Sequence, residues 1–408
     1  MTQTSGSAGG SAGGIPAAGV PAAGVPAAGA PAAGVPAAGA PATGVPAAGA
    51  PVAGVPATGA PAAGHGDLAG AAADDPKDSP AEHADDPSID GPKVRTVLGD
   101  LPAADLRVTM AHEHLLMTGG WPVRQQPDFR LDSVDAAVAE VDSYTRAGGA
   151  GLVEMTPLGF GRSPDGLVSI AERTGAHIVA CTGFHKLSYY SDIHWLHRYT
   201  AEQIAELLEA EIVEGMDRGG LEGPLIDRSP ARAGVVKLAT EYHRAGPAIA
   251  RLADAVGTVH QRTGAPICTH TENGTMGHEQ LDLLAASGVP SDAVVLGHID
   301  HNPDPVYLAE LASRGAFLAF DMPGRIKYAP DSQSVWLLGE LAERGHTGQV
   351  LLASDLARRS YWPAFGGGPG LAYLLERFAP RARAAGLAEV LDAALVDNAS
   401  RAFRLRRG

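Results

Sequence analysis

Residues 94–408 predict an α/β fold, a (β/α)8 barrel of TIM type, on three observations. Short β-branched or apolar runs alternate with longer amphipathic stretches. The runs lack strict apolar/polar alternation, as strands buried on both faces do. They also recur eight times, the rhythm of βα units, in a stretch of about 315 residues, a length such barrels use. An open doubly wound sheet is the alternative, and no Gly-rich phosphate loop follows the first run to support it.

In chain order the strand candidates are 106–112, 151–156, 177–183, 234–240, 266–271, 294–300, 316–321 and 350–355. Between the third and fourth, Thr200-Ala201-Glu202-Gln203 has the capping-box spacing. It leads into Ile204, Leu207, Leu208, Ile212 and Met216, an apolar stripe at helical spacing. Before the sixth, Asp282, Leu283, Leu284 and Ala285 belong to another helix.

Two different textures precede the barrel. Residues 1–64 carry no charge, and Gly-x-Pro-Ala-Ala repeats there every five residues. Proline removes backbone donors, glycine adds chain entropy, and alanine buries too little area to repay it. The repeat predicts a disordered tail, and it is not collagen, which needs glycine every third residue. Residues 65–93 are an acidic linker, with eight acids against Lys77 and Lys93.

The chain has 408 residues and a net charge of −15, which argues against a sequence-independent nucleic-acid binder. No apolar run is long enough to span a membrane, and the first residues lack the basic and apolar regions of a signal peptide. Two cysteines, Cys181 and Cys268, make no disulfide scaffold, so a cytoplasmic protein is expected.

In such a barrel the chemistry lies at the C-terminal ends of strands. The first candidate ends in His112-Glu113-His114, where residues i and i+2 share a face and Glu113 turns away. Lys237 lies in the fourth, His270 ends the fifth, His298 the sixth and Asp355 the eighth. Each alone reads as an ordinary core or cap residue. Together they place imidazoles and a carboxylate, the ligands of catalytic zinc, at one end of five strands.

The segments TMAHEHLL, AGVVKLAT, ICTHTENG, VVLGHID, LLASDLAR and DNASRAF resemble the phosphotriesterase family of the amidohydrolase superfamily. The resemblance implies a binuclear hydrolase with two divalent metal ions, zinc first, with manganese or cobalt as alternatives. His112, His114 and Asp355 would hold the buried metal, and His270 and His298 the more exposed one. Lys237 would bridge them as N6-carboxylysine, formed with carbon dioxide. Desolvation and two nearby cations favour the neutral amine that this reaction needs. A water shared by the metals would attack a lactone or phosphotriester, with Asp355 as the catalytic proton acceptor. A small-molecule ester or lactone is the expected partner, and family analogy suggests a homodimer.

Three departures bear on the substrate. Phosphotriester-cleaving members have a proton-shuttling His after strand seven, where this chain has Asp321-Met322-Pro323. Lactone-hydrolysing members often carry a Tyr after strand three, where Phe184-His185 stand. The family's Asn-Pro-Ala-Arg ending appears as Asn398-Ala399-Ser400-Arg401. The loop Gly324-Arg325-Ile326-Lys327-Tyr328 looks like the one that grips phosphate in members acting on phosphorylated sugar lactones. It should put Arg325 and Tyr328 at the barrel mouth, with His185 as a further substrate contact. The aromatic stretch Tyr189, Tyr190, Trp195 and Tyr199 would cover the substrate or pack against a neighbour. Gly366-Gly367-Gly368 would allow a loop to move or approach closely. Amide or deamination chemistry, or a non-catalytic barrel scaffold with a binding tail, are the alternative functions. Lys237 counts against mononuclear deaminases, and the complete ligand set counts against a decayed enzyme.

Overall fold

In the computed structural model of the chain, the described residues are 91–406. The readings of residues 1–64 and of nearly all of the linker lie outside them. The last linker residue, Lys93, opens the first strand, β1 (Lys93–Thr96), which pairs antiparallel with β2 (Gly99–Pro102). Val94 is fully buried there, and the Lys93 carbonyl accepts from Leu405 N at 2.7 Å. The hairpin therefore plugs the N-terminal end of the barrel together with Ala399, Ala402 and Phe403.

The barrel strands follow as β3 (Thr109–Glu113), β4 (Gly151–Glu154), β5 (His177–Gly183), β6 (Ala233–Ala239), β7 (Ile267–His270), β8 (Val294–Gly297), β9 (Phe317–Phe320) and β10 (Val350–Leu352). All are parallel and pair in chain order, the TIM-type architecture that the sequence predicts. Helices on the outside bury their apolar faces against the strands. The helix Ala201–Val213 carries the predicted capping box, with Thr200 and Gln203 satisfying each other's end of the first turn. Ile204, Leu208 and Ile212 are buried, Leu207 packs alongside, and Met216 lies beyond the helix end rather than on its stripe. The other predicted helix residues fall within Gly277–Ala286.

Inside the barrel, Val153, Val179, Val235, Cys268, Val295, Phe317, Ala319 and Leu351 pack together. Cys181 and Cys268 are buried free thiols, and Cys268 holds no position among the candidate metal groups. Six of the eight predicted strands overrun at their C-terminal ends, while the first stops one residue short of Glu113 and the third ends at Gly183 as observed. His114, His298 and Asp355 sit just past β3, β8 and β10, in the loops at the barrel mouth.

The seam between the first and last barrel strands is closed partly by a side chain. Asp355 N donates to the His112 carbonyl at 3.1 Å. Beside it, the buried Glu113 carboxylate accepts from Ser354 N at 2.7 Å and Leu356 N at 3.1 Å. Glu113 does turn away from the mouth, but it is not idle. It satisfies two strand-end donors that would otherwise be buried unpaired, and so fixes the backbone on either side of Asp355. Burial pushes its carboxyl up to about 8, against the pull of these two donors. No helix among the described residues is long and apolar enough to cross a membrane.

Candidate metal centre

Strand geometry delivers most of the site, and local irregularity delivers the rest. In β6, Val235 faces the interior, so Lys237 two residues on faces it too. The same parity carries Cys268 to His270, Ala319 to Asp321 and Ala353 to Asp355. His112 breaks this rule. Met110 packs in the outer layer and Ala111 inside, so plain alternation would turn His112 outward. A register shift between Met110 and Glu113 reverses it, a usual device for re-aiming a side chain beside a site. His298 and Asp355 adopt positive φ values of 57° and 46°. Such left-handed backbone in non-glycine residues is costly and clusters at functional sites. Gly297 makes room, because a Cβ there would lie 2.5 Å from the Thr269 carbonyl and 3.3 Å from His112 Nδ1.

All six predicted metal-ligating residues line one cavity of about 240 Å³ at the barrel mouth. His112, His114 and Asp355 bring ligand atoms within 4.8 Å of one another. Asp355 Oδ1 is 3.3 Å from His114 Nε2 and 3.8 Å from His112 Nε2. The His298 ring lies 4.8 Å from that of His112 and 4.6 Å from that of His270. Lys237 Nζ donates to the Met155 carbonyl at 2.9 Å, and burial lowers its pKa.

The donor set fits divalent metal binding. Both ring nitrogens of His270 and Nε2 of His112 are buried with no hydrogen-bond partner among the described residues. Orphaned buried polar atoms of this kind are rare and costly, and a cation is the partner that imidazole lone pairs take. His112 and His270 are also held toward the neutral form that a ligand needs. Burial pushes His112 down to about 3, with Lys237 adding repulsion. Burial and neighbouring cationic groups hold His185 and His270 well below their usual range. Asp355 resists burial and stays well below the ordinary carboxylate range because Arg325 and the imidazoles surround it.

These neutral imidazoles have a consequence for stability. Below the ordinary histidine pKa of about 6.5 the unfolded chain takes up protons that the folded chain does not. Stability therefore falls as pH falls below about 6.5, by about 1.4 kcal/mol per pH unit for each group until its folded value is reached. His112, His185, His270 and His301, the last pushed down to about 4 by burial and His298, all contribute in the same direction. A melting temperature that drops steeply on acidification from neutral is the expected result. Glu113 and Asp300, pushed up by burial to about 8 and about 7, oppose this in part, so a melting temperature that rises on acidification would show that these imidazoles are not neutral in the fold.

All three predicted substrate contacts, His185, Arg325 and Tyr328, line the same cavity. Arg325 is not the open mouth residue that its loop suggested. It is only 5% exposed, with Nη1 donating to Asp355 Oδ2 at 2.6 Å and Nη2 to Asp321 Oδ1 at 3.0 Å. Tyr328 is half exposed above it, with the Arg325 guanidinium 5.0 Å from its ring centroid. His185 lies against His270 with ring centroids 4.5 Å apart and the planes tilted by 50°, and its Nδ1 accepts from Lys186 N at 2.7 Å. Of the aromatic stretch, Tyr189 reaches the cavity, while Tyr190 and Trp195 are spent on internal hydrogen bonds to the Leu158 and Leu221 carbonyls. Gly366–Gly368 do not line the cavity. Gly367 instead packs against its own loop, where a Cβ would lie 2.2 Å from the Ser360 carbonyl.

Several cavity or supporting residues were not predicted. His301, Arg358 and Tyr361 line the cavity, and Asp321 sits beneath it. Glu154 and Thr156 support His114. The Thr156 hydroxyl donates to Glu154 and shares a 2.9 Å hydrogen bond with His114 Nδ1. Asp321 carried a readable signal, since it ends a strand run on the same face as Phe317 and Ala319.

Comparison with known proteins agrees with this arrangement. The sequence profile of the phosphotriesterase family matches residues 92–403. The chain is 35% identical over 315 residues to the phospho-furanose lactonase of Mycoplasmopsis agalactiae, covering 75% of this chain and 89% of that protein. A crystal structure of an amidohydrolase from Mycoplasma synoviae superposes with a TM-score of 0.76 at 32% identity, covering 78% of this chain and 94% of that one. The phosphotriesterase homology protein of Escherichia coli, solved with phosphate in its active site, gives a TM-score of 0.67 at 30% identity, covering 73% and 99%.

Proposed function

The chain belongs to the phosphotriesterase family, a family of metal-dependent ester hydrolases, and from that premise we propose that it opens the lactone ring of a phosphorylated sugar acid at a binuclear, zinc-type centre. The observation that carries the proposal is the convergence of six metal-type donors with Arg325, Tyr328 and Arg358 in one cavity. A strongly acidic chain that nevertheless turns two guanidiniums into its cavity is built for an anionic substrate. Met322, in place of the His that phosphotriester-cleaving members use, favours a lactone over a phosphotriester. The names of the M. agalactiae relative and the phosphate in the E. coli structure point the same way.

In this reading His112, His114 and Asp355 would hold one divalent ion and His270 and His298 the other, with Lys237, carboxylated, as a ligand shared by both. Such ions acidify water and polarise the scissile carbonyl. The remaining work falls to the chain. Arg358 and Tyr328, with the one Arg325 N–H that is not already given to Asp321 or Asp355, contact the phosphate, which places the ring over the metal ligands. Because Lys186 N–H occupies His185 Nδ1, the neutral ring keeps its proton on Nε2 and offers it to a substrate oxygen. Asp355 takes the proton from the attacking water and passes it to the ring oxygen as the C–O bond breaks, leaving a hydroxy acid.

Matched furanose lactones with and without a terminal phosphate test the proposal. The phosphorylated member should be preferred by at least about tenfold in kcat/KM, since a charge-assisted hydrogen bond contributes about 1.5–3 kcal/mol. Arg325→Met should erase part of that preference. Arg325 also holds Asp355, but the ratio between the two substrates cancels that shared effect. Equal rates on both lactones in the unaltered enzyme would refute the phosphate reading.

A further inference from the structure

Asp321 is fully buried and none of its acceptor capacity is left over. Oδ1 accepts from His298 Nδ1 at 2.8 Å and from Arg325 Nη2 at 3.0 Å. Oδ2 accepts from His298 N at 2.9 Å and lies 3.3 Å from His112 Nδ1. A carboxylate has about four lone-pair sites, and all four face donors here. The His298 amide and the Arg325 guanidinium can only donate, and each is aimed at one of the two oxygens, so both oxygens act as acceptors. Both imidazoles must therefore carry a proton on Nδ1, which leaves Nε2 as the nitrogen that can meet a metal.

His112 and His298 belong to different metal positions in the binuclear reading. We propose that Asp321 is a positioning residue shared by both: one carboxylate sets the tautomer and ring orientation of one imidazole ligand from each pair. The other ligands are held separately. His114 is oriented through Thr156 and Glu154, and the backbone around Asp355 is fixed by Glu113. Neither ring nitrogen of His270 is hydrogen-bonded among the described residues. The two metal positions thus share a single supporting acid at the end of β9.

Asparagine is the discriminating replacement because it keeps the shape and removes half of the acceptor capacity. With its NH2 at the Oδ1 position it faces the His298 Nδ1 proton and Arg325. With its NH2 at the Oδ2 position it faces the His298 amide and the His112 Nδ1 proton. The guanidinium and the backbone amide cannot change sign, and an imidazole that relieves the clash by moving its proton to Nε2 gives up its lone pair for the metal.

The inference rests on the binuclear reading, and stepwise zinc titration of the purified chain against a competing chelator separates the two. Unaltered protein should bind two ions. Binding fewer than about two would overturn the binuclear reading itself. Asp321→Asn should weaken both stepwise affinities by about 10–100-fold, the range seen when partners of metal ligands are removed. Weakening of only one step, or of neither, would overturn the shared role while leaving the binuclear reading intact. Arg325→Met leaves the Asp321 carboxylate but also frees Asp355 Oδ2, so it should change at most the step that involves Asp355 and keep the other within about threefold. A loss equal to that of Asp321→Asn would assign the effect to Arg325 instead. If Asp321→Asn does not fold, histidine nitrogen NMR on the unaltered zinc-loaded protein decides. Protons on Nδ1 of His112 and His298 are expected, and protons on Nε2 of either would overturn the proposal.

Discussion

Lys237→Ala is expected to lose metal and activity together, with kcat/KM falling at least about a thousandfold, equivalent to about 4 kcal/mol of transition-state stabilisation. The side chain is 1% exposed, surrounded by interior strand residues, and donates to a single carbonyl. Burial lowers its pKa, so the neutral amine that adds carbon dioxide is accessible. Addition releases a proton and leaves an anionic carbamate, whereas an ammonium at the same place would repel both cations. Short carboxylic acids added to Lys237→Ala should restore part of both metal content and rate, because a free carboxylate can fill the vacated space. Lys237→Arg should not respond, since guanidinium fills the space without forming a carbamate. Full activity of Lys237→Ala without added acid would remove the carbamate from the mechanism.

Much of this site was legible before any coordinates, and the reason is periodicity. Lys237, His270 and Asp355 share the inward parity of their strands, so a strand assignment places them in the barrel automatically. His112 and His298 reach the same cavity by routes that alternation does not describe. His112 needs the register shift near Met110, and His298 needs a left-handed turn just past β8. Neither irregularity has a signature in residue type. The strand ends overran for the same cause: Gly297 and Leu352 finish their ladders where the backbone turns, although the apolar run continues.

The supporting acids were harder to see. Glu113 read as facing away, which is correct, but its partners are backbone amides some 240 residues later across the seam. Asp321 stood at the position of a missing His, and its four donors come from two strand ends and a loop. Arg325 was assigned to an open mouth because its loop is Gly-initiated and polar. The acids that draw it inward, Asp321 and Asp355, lie on two different strand ends, and only the closed barrel brings them together.

Asp355→Asn is expected to lower kcat/KM on lactones by about 10²–10⁴, the usual contribution of general acid–base groups. Two effects contribute and can be separated. Arg325 Nη1 will hold the amide oxygen where it now holds Oδ2 at 2.6 Å. That turns the amide NH2 toward His114 Nε2, now 3.3 Å from Oδ1, where it would occupy a lone pair meant for metal. The first effect is therefore weaker metal binding, and saturating zinc should restore occupancy. The second is loss of the proton carrier, which zinc cannot restore. A sugar-derived alkoxide is a poor leaving group and needs the proton that Asp355 moves. A nitrophenolate does not, so the defect of the zinc-saturated variant should shrink by at least about tenfold on a nitrophenyl ester, following the proton-transfer driving force. A defect of equal size on both substrates would confine Asp355 to metal binding and leave the proton to solvent.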